Sequence, residues 1–186
     1  MHMKALTYIE KGRFAVTEKA KPVVLDAKDA VVRVTLGRKY TPDNITHLEP
    51  DDIFVFGSNL EGMHMGGAAR VAYNKFGAVW GQGVGLQGQS YAIPTMQGGV
   101  DTIKPYVEQF IEFARECDQN TFYVTRIGCG IAGFTDDEIA PLFDEAYDLY
   151  NVRLPKSFAD IIEHNRLSKN HDEDEPIQLG LDSCGD

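Results

Sequence analysis

Two short strand-like runs, the apolar Ile53-Phe54-Val55-Phe56 and Phe122 to Ile127, each end in a loop dense in glycine, and each loop leads into a segment with helical periodicity. A run that is apolar at every position, as Ile53 to Phe56 is, must be covered on both faces, so it belongs between two helical layers and not at a half-solvated sheet surface. Strand, glycine loop and helix, met twice in one chain, predict an α/β fold with a sheet between helices. The loops run from Gly57 to Gly67 and from Gly128 to Gly133.

The remaining segments fit that alternation. Ala68, Ala69, Ala72 and Phe76 share one helical face, and Ser90 to Pro94 reads as a further strand. Val107, Phe110, Ile111 and Ala114 recur at spacings of three and four, which predicts a helix over Lys104 to Cys117 capped by Asp101 or Thr102. Thr135-Asp136-Asp137-Glu138 is a capping box announcing a helix whose buried stripe is Ile139, Leu142, Phe143 and Ala146. Val152 to Leu154 reads as a last short strand, and Pro155 is placed to open a final helix through about Asn165.

The chain has 186 residues, 43% of them hydrophobic, and a formal charge of -10. That is enough for one domain with a core, and the acidic excess argues against a nucleic-acid surface or an anionic membrane, which need a basic patch able to displace counterions. Any anionic ligand must therefore be held locally. No stretch approaches the run of about eighteen apolar residues that spans a bilayer, and no secretory segment opens the chain, so a cytoplasmic protein is expected. Cys117, Cys129 and Cys184 match neither a zinc ribbon nor a disulfide framework, and the five histidines show no ligand spacing; no metal and no cofactor are expected.

Three domains are read along the chain. Residues 1–38 form a β-rich extension, with β-prone runs at Met3 to Ile9, Arg13 to Val16 and Ala30 to Leu36. The wording Met3-Lys4-Ala5-Leu6-Thr7-Tyr8, Lys21-Pro22-Val23 and Asp29 to Val34 resembles the opening strands of medium-chain zinc-dependent alcohol dehydrogenases. Where that family places a zinc-ligating cysteine this chain has Gly37-Arg38-Lys39-Tyr40, so the resemblance implies an appended fragment without the metal. Residues 39–165 form the α/β domain. From 166 to 186 the chain reads as a tail, in which Asp172 to Asp186 carries six acidic residues and little to bury and is expected to be solvated and disordered.

Glycine lets a backbone approach a phosphate closely and turn its N–H groups inward, and a helix N-terminus adds the positive end of its dipole. Either loop alone serves equally well as a set of tight turns; the two together favour a clamp on a diphosphate. A G-x-G-x-x-G pattern occurs at Gly83 to Gly88 and at Gly128 to Gly133. The first precedes a strand instead of a helix, and the second lacks a following acidic residue for a ribose hydroxyl, so a dinucleotide-binding fold is the weaker reading.

Asn44-Ile45-Thr46-His47-Leu48-Glu49 followed by Ile53 to Asn59 is similar to the macrodomain opening Gly-Asp-Ile-Thr followed by Ile-Val-Asn-Ala-Ala-Asn. Gly62 to Gly67 then stands where macrodomains have their first glycine-rich loop, and Ile127 to Phe134 where they have the second phosphate loop. The resemblance covers about two-thirds of the chain. Phe56 to Leu60, Leu86 to Thr95 and Gly128 to Gly133 look like a divergent bacterial and phage branch of macro-like proteins.

This resemblance implies a three-layer macrodomain-like fold, a mixed central sheet flanked by helices, and an ADP-ribose-like small molecule as partner. It implies that Asn59 contacts the distal ribose, that Gly62, Gly66, Gly67, Gly128, Gly130 and Gly133 surround the diphosphate, and that Phe134 packs beside a ribose. Asn44 stands where macrodomains keep an aspartate for the adenine amine; its amide oxygen accepts too, without the charge.

If the chain is an enzyme, a hydrolase acting on ADP-ribosyl or related phosphorylated compounds is implied. His64, in Glu61-Gly62-Met63-His64-Met65-Gly66-Gly67, is the nearest group titrating around neutrality and the first general-base candidate, with Glu61 second. Cys129 sits in a glycine loop before a helix, where N–H groups would depress a thiol pKa and activate a nucleophile; equally it fills space. Two alternatives stand beside the ADP-ribose reading: a Cys129-dependent hydrolase or transferase on another substrate, and a non-catalytic protein-interaction module of phage origin.

Overall fold

A computed structural model of the chain describes residues 2–10, 13–20 and 40–172, and divides the chain into two compact units, Met1–Arg38 and Lys39–Asp186. In the first unit β1 (His2–Glu10) and β2 (Arg13–Ala20) pair antiparallel from His2 opposite Ala20 to Glu10 opposite Arg13, with one irregularity after Tyr8. The third expected run, Ala30 to Leu36, and the acidic tail beyond Asp172 lie outside the described residues.

The second unit is a three-layer α/β fold. Its elements are β3 (Asp52–Ser58), α1 (Gly67–Lys75), β4 (Gly85–Gln87), β5 (Ser90–Pro94), α2 (Val100–Glu116), β6 (Thr121–Val124), α3 (Asp136–Ile139), β7 (Val152–Arg153) and α4 (Lys156–Asp172). Two single 3₁₀ turns, Ala140–Phe143 and Ala146–Asp148, follow α3. The strand order is β4-β5-β3-β6-β7, parallel except for β4, which pairs antiparallel with β5 along the edge.

Alternation along β3 builds the layers, because successive side chains leave opposite faces of a strand. Ile53 and Val55 enter the larger core with Val107, Phe110, Phe122, Ile139, Phe143 and Phe158, under α2, α3 and α4. Phe54 and Phe56 enter the smaller core with Ala69, Ala72 and Phe76, under α1. The alanines of α1 let the helix lie close on the two phenylalanines, and full burial of each phenylalanine is worth about 2–3 kcal/mol.

Four elements differ from the sequence expectation. Helix α2 starts at Val100 after an N-cap at Gly99 without a side-chain cap; Thr102 lies inside the first turn, its hydroxyl donating back to the Gly99 carbonyl at 2.7 Å. Strand β4 falls within the glycine pattern Gly83 to Gly88, where no strand was expected, since backbone pairing with β5 organises it. The Thr135–Glu138 capping box is formed, but its helix lasts four residues before tightening into the 3₁₀ turns. Helix α4 runs past Asn165 to Asp172.

The strand order places a topological switch beside β3. The chain leaves β3 toward β5 on one side, whereas β6 joins β3 on the other and leads on to β7. Connections that diverge from neighbouring parallel strands open a crevice at their carboxyl ends, where α/β proteins hold ligands.

Candidate functional site

A cavity of about 360 Å³ occupies that crevice. Its floor is the end of β3 with Thr95 and Thr125, the residues after β5 and β6. Thr95 donates its amide to the Ser58 carbonyl at 2.9 Å and its hydroxyl to the same oxygen at 3.3 Å. Thr125 likewise donates amide and hydroxyl to the Val55 carbonyl, at 3.0 and 2.9 Å. Both hydroxyl protons are therefore committed to backbone.

One wall is the loop after β3, with Asn59, Gly66 and Gly67 and the first turn of α1 at Ala68 and Ala69; the other is the loop after β6, with Gly128, Gly130 and Ala132. The walls approach each other closely: a Cβ on Gly66 would lie 3.0 Å from Ile131 Cδ1. Helix α1 begins at the cavity with no side-chain cap and no acidic residue in its first turn. The first amides of a helix have no intrahelical acceptor, so this end presents N–H donors and a partial positive charge to the cavity. The mouth is apolar, with Met63, Met65, Met96 and Ile131 between 47% and 77% exposed.

Of the residues singled out from the sequence, Asn59, Gly66, Gly67, Gly128 and Gly130 border this one cavity, and Asn44, Glu61, Gly62, His64, Cys129, Gly133 and Phe134 stand outside its lining. Asn59 shapes the first loop from within: its Oδ1 accepts the Met63 amide at 2.9 Å, and its Nδ2 donates to the Met63 carbonyl at 3.3 Å. Arg126, Thr95, Thr125 and the methionine rim were not singled out.

Several expectations need correction. His64 is not a solvated base: it is 1% exposed, packs edge-on to Phe56 at 5.2 Å between centroids, and places Nε2 3.0 Å from the Val79 carbonyl. Its Nδ1 is buried and has no hydrogen-bond partner among the described residues. Cys129 is not activated, since burial and then the neighbouring Asp136 carboxylate push its thiol up to about 12, and its sulfur donates to the Ile127 carbonyl at 3.5 Å. Glu61 is exposed and not among the residues that line the cavity.

Gly62 serves the fold. It has φ +65°, and a Cβ there would lie 2.3 Å from the Gln82 amide nitrogen, so the first loop packs backbone to backbone on the segment before β4. Phe134 is partly buried and packs against the larger core, and Gly133 closes a turn onto the Gly130 carbonyl at 3.0 Å. Asn44 is exposed; its neighbour Asp43 borders a second cavity of about 500 Å³, walled also by Thr41, Thr125, Arg126, Asp136 and Lys156.

Arg126 pairs with Asp136 by Nε contacts of 3.2 Å to both carboxylate oxygens and an Nη2 contact of 2.7 Å. Partial burial pushes the Asp136 carboxyl up, but side-chain hydrogen bonds led by Arg126, together with the guanidinium's charge, outweigh it and hold the group below its usual range. Among the described residues there is no cluster of side chains suited to a metal ion, and no helix long and apolar enough to cross a membrane.

Fold and cavity together define an α/β protein with a ligand-sized crevice at the carboxyl edge of a mixed sheet, walled largely by loop backbone. No protein family, no curated protein and no solved structure matches the chain.

Proposed function

We propose that this crevice binds ADP-ribose or a related phosphorylated nucleoside, its diphosphate lying between the two glycine loops. The observation that carries the reading is that Asn59 and Gly66 from one loop, and Gly128 and Gly130 from the other, border one cavity at the switch point of the sheet. The uncapped start of α1 supplies amides and dipole for an anion, which suits an acidic chain with no cationic cluster at the site. A volume of about 360 Å³ lies within the usual range of small-molecule sites. The resemblance of these loops to those of macrodomains points to the same ligand.

The reading is one of binding. His64, Glu61 and Cys129, the acid–base and nucleophile candidates, all lie outside the cavity lining, so hydrolysis of an ADP-ribosyl linkage has no side chain of theirs to act through. Calorimetric titration with ADP-ribose tests the proposal. Saturable binding that Asn59→Ala weakens, by releasing the Met63 loop, is the expected result; heats indistinguishable from dilution at millimolar ligand would overturn it.

A further inference from the structure

Among the described residues that border the cavity Arg126 alone has a charged side chain, and it borders the second cavity as well. The second cavity is electrically mixed, with Asp43 and Asp136 against Arg126 and Lys156. Among the described residues no acidic side chain borders the first.

The ion pair with Asp136 is asymmetric. The Asp136 side chain is 15% exposed and stands at the start of α3, fixed by the Thr135–Glu138 capping box, whereas the Arg126 side chain is 61% exposed. Asp136 therefore anchors the guanidinium and leaves it at the solvent edge. A guanidinium has five N–H donors in a rigid fork, and Nε and Nη2 serve Asp136, which leaves three for another acceptor. A planar fork already oriented by one carboxylate loses little freedom on accepting a second anion.

We propose that Arg126 is the charge-selecting residue of this site: held by Asp136, it gives its remaining donors to a phosphoryl oxygen of the ligand between the glycine loops. The site thereby prefers phosphorylated compounds to neutral nucleosides. The identity of the ligand as ADP-ribose rests on the function proposed above; the preference for a phosphoryl anion rests on Arg126 and the cavity alone.

The test is calorimetry of the full chain and of Arg126→Ala and Arg126→Lys with two probes, ADP-ribose and inorganic pyrophosphate. Because a charge-assisted hydrogen bond is at stake, Arg126→Ala is expected to weaken ADP-ribose by about tenfold to a hundredfold, and Arg126→Lys, which keeps the charge without the fork, by less. Pyrophosphate should follow the same order. The mostly exposed Arg126 side chain allows both variants to fold, with melts lowered by no more than several degrees for the lost pair with Asp136, and binding is read well below those melts. ADP-ribose binding that Arg126→Ala leaves unchanged overturns the Arg126 assignment and spares the functional reading. Pyrophosphate binding that depends on Arg126, without any ADP-ribose binding, supports the assignment and overturns the reading. Silence of both probes overturns both.

Discussion

Gly130→Glu separates a ligand cavity from a mere gap between turns. Gly130 does not have a positive φ, and a Cβ added there meets no heavy atom within 4 Å, so neither backbone nor neighbours resist a side chain. The substitution should therefore fold, and a glutamate would place its carboxylate about 5–8 Å from a diphosphate in the cavity. At an effective dielectric constant of about 20 this repulsion is about 2–3 kcal/mol for one charge pair. ADP-ribose affinity should fall by about thirtyfold to two-hundredfold, and part of the loss should return at high salt as screening sets in. Gly130→Ala is the control; it should bind within about threefold of the parent and melt slightly higher, as glycine replacement at a compatible site gains about 0.4–1 kcal/mol. Calorimetry and melting of the three proteins decide the matter. A folded Gly130→Glu protein that binds ADP-ribose as tightly as the parent refutes the placement of the anion beside this loop.

Three other outcomes follow from the same geometry. Gly62→Ala should cost at least about 2 kcal/mol, from its left-handed backbone and the Cβ overlap with Gln82, and should lower Tm by several degrees; an unchanged melt would show that the loop path differs. His64→Ala should destabilise the fold by about 2–4 kcal/mol by opening a cavity beside Phe56, while the folded fraction binds ADP-ribose normally; loss of binding without loss of stability would restore His64 to the site. The Cys129 thiol, pushed up to about 12, should be alkylated at a rate that rises about tenfold per pH unit through pH 7 to 10 without a plateau, because the thiolate is the reacting form. A plateau below pH 9 in that rate profile would reveal an activated thiol.

The sequence carried the strands and the loops better than the side chains that border the cavity. Ile53 to Phe56 announces a strand covered on both faces because every residue is apolar, and the Thr135–Glu138 box reads locally because its partners are three residues apart. Strand β4 was hidden because Gly85-Leu86-Gln87 has no alternation of its own; its order comes from pairing with β5. His64 was read as a general-base candidate among glycines and methionines, and its burial depends on Phe56 and Val79, contacts that no spacing encodes. Gly62 was taken for a phosphate contact because the backbone that crowds it lies twenty residues on, at Gln82. Arg126 passed unnoticed because its role depends on which way the chain turns after β6 and on where Asp136 stands.

Backbone amide NMR of the full chain during titration with ADP-ribose measures most directly whether main-chain donors of the two loops share one anion. Progressive shifts should concentrate at once in Gly66 to Ala69 and in Gly128 to Ala132, saturating with a single dissociation constant. Shifts confined to one of these segments, or scattered elsewhere over the surface, would contradict a diphosphate clamped between them.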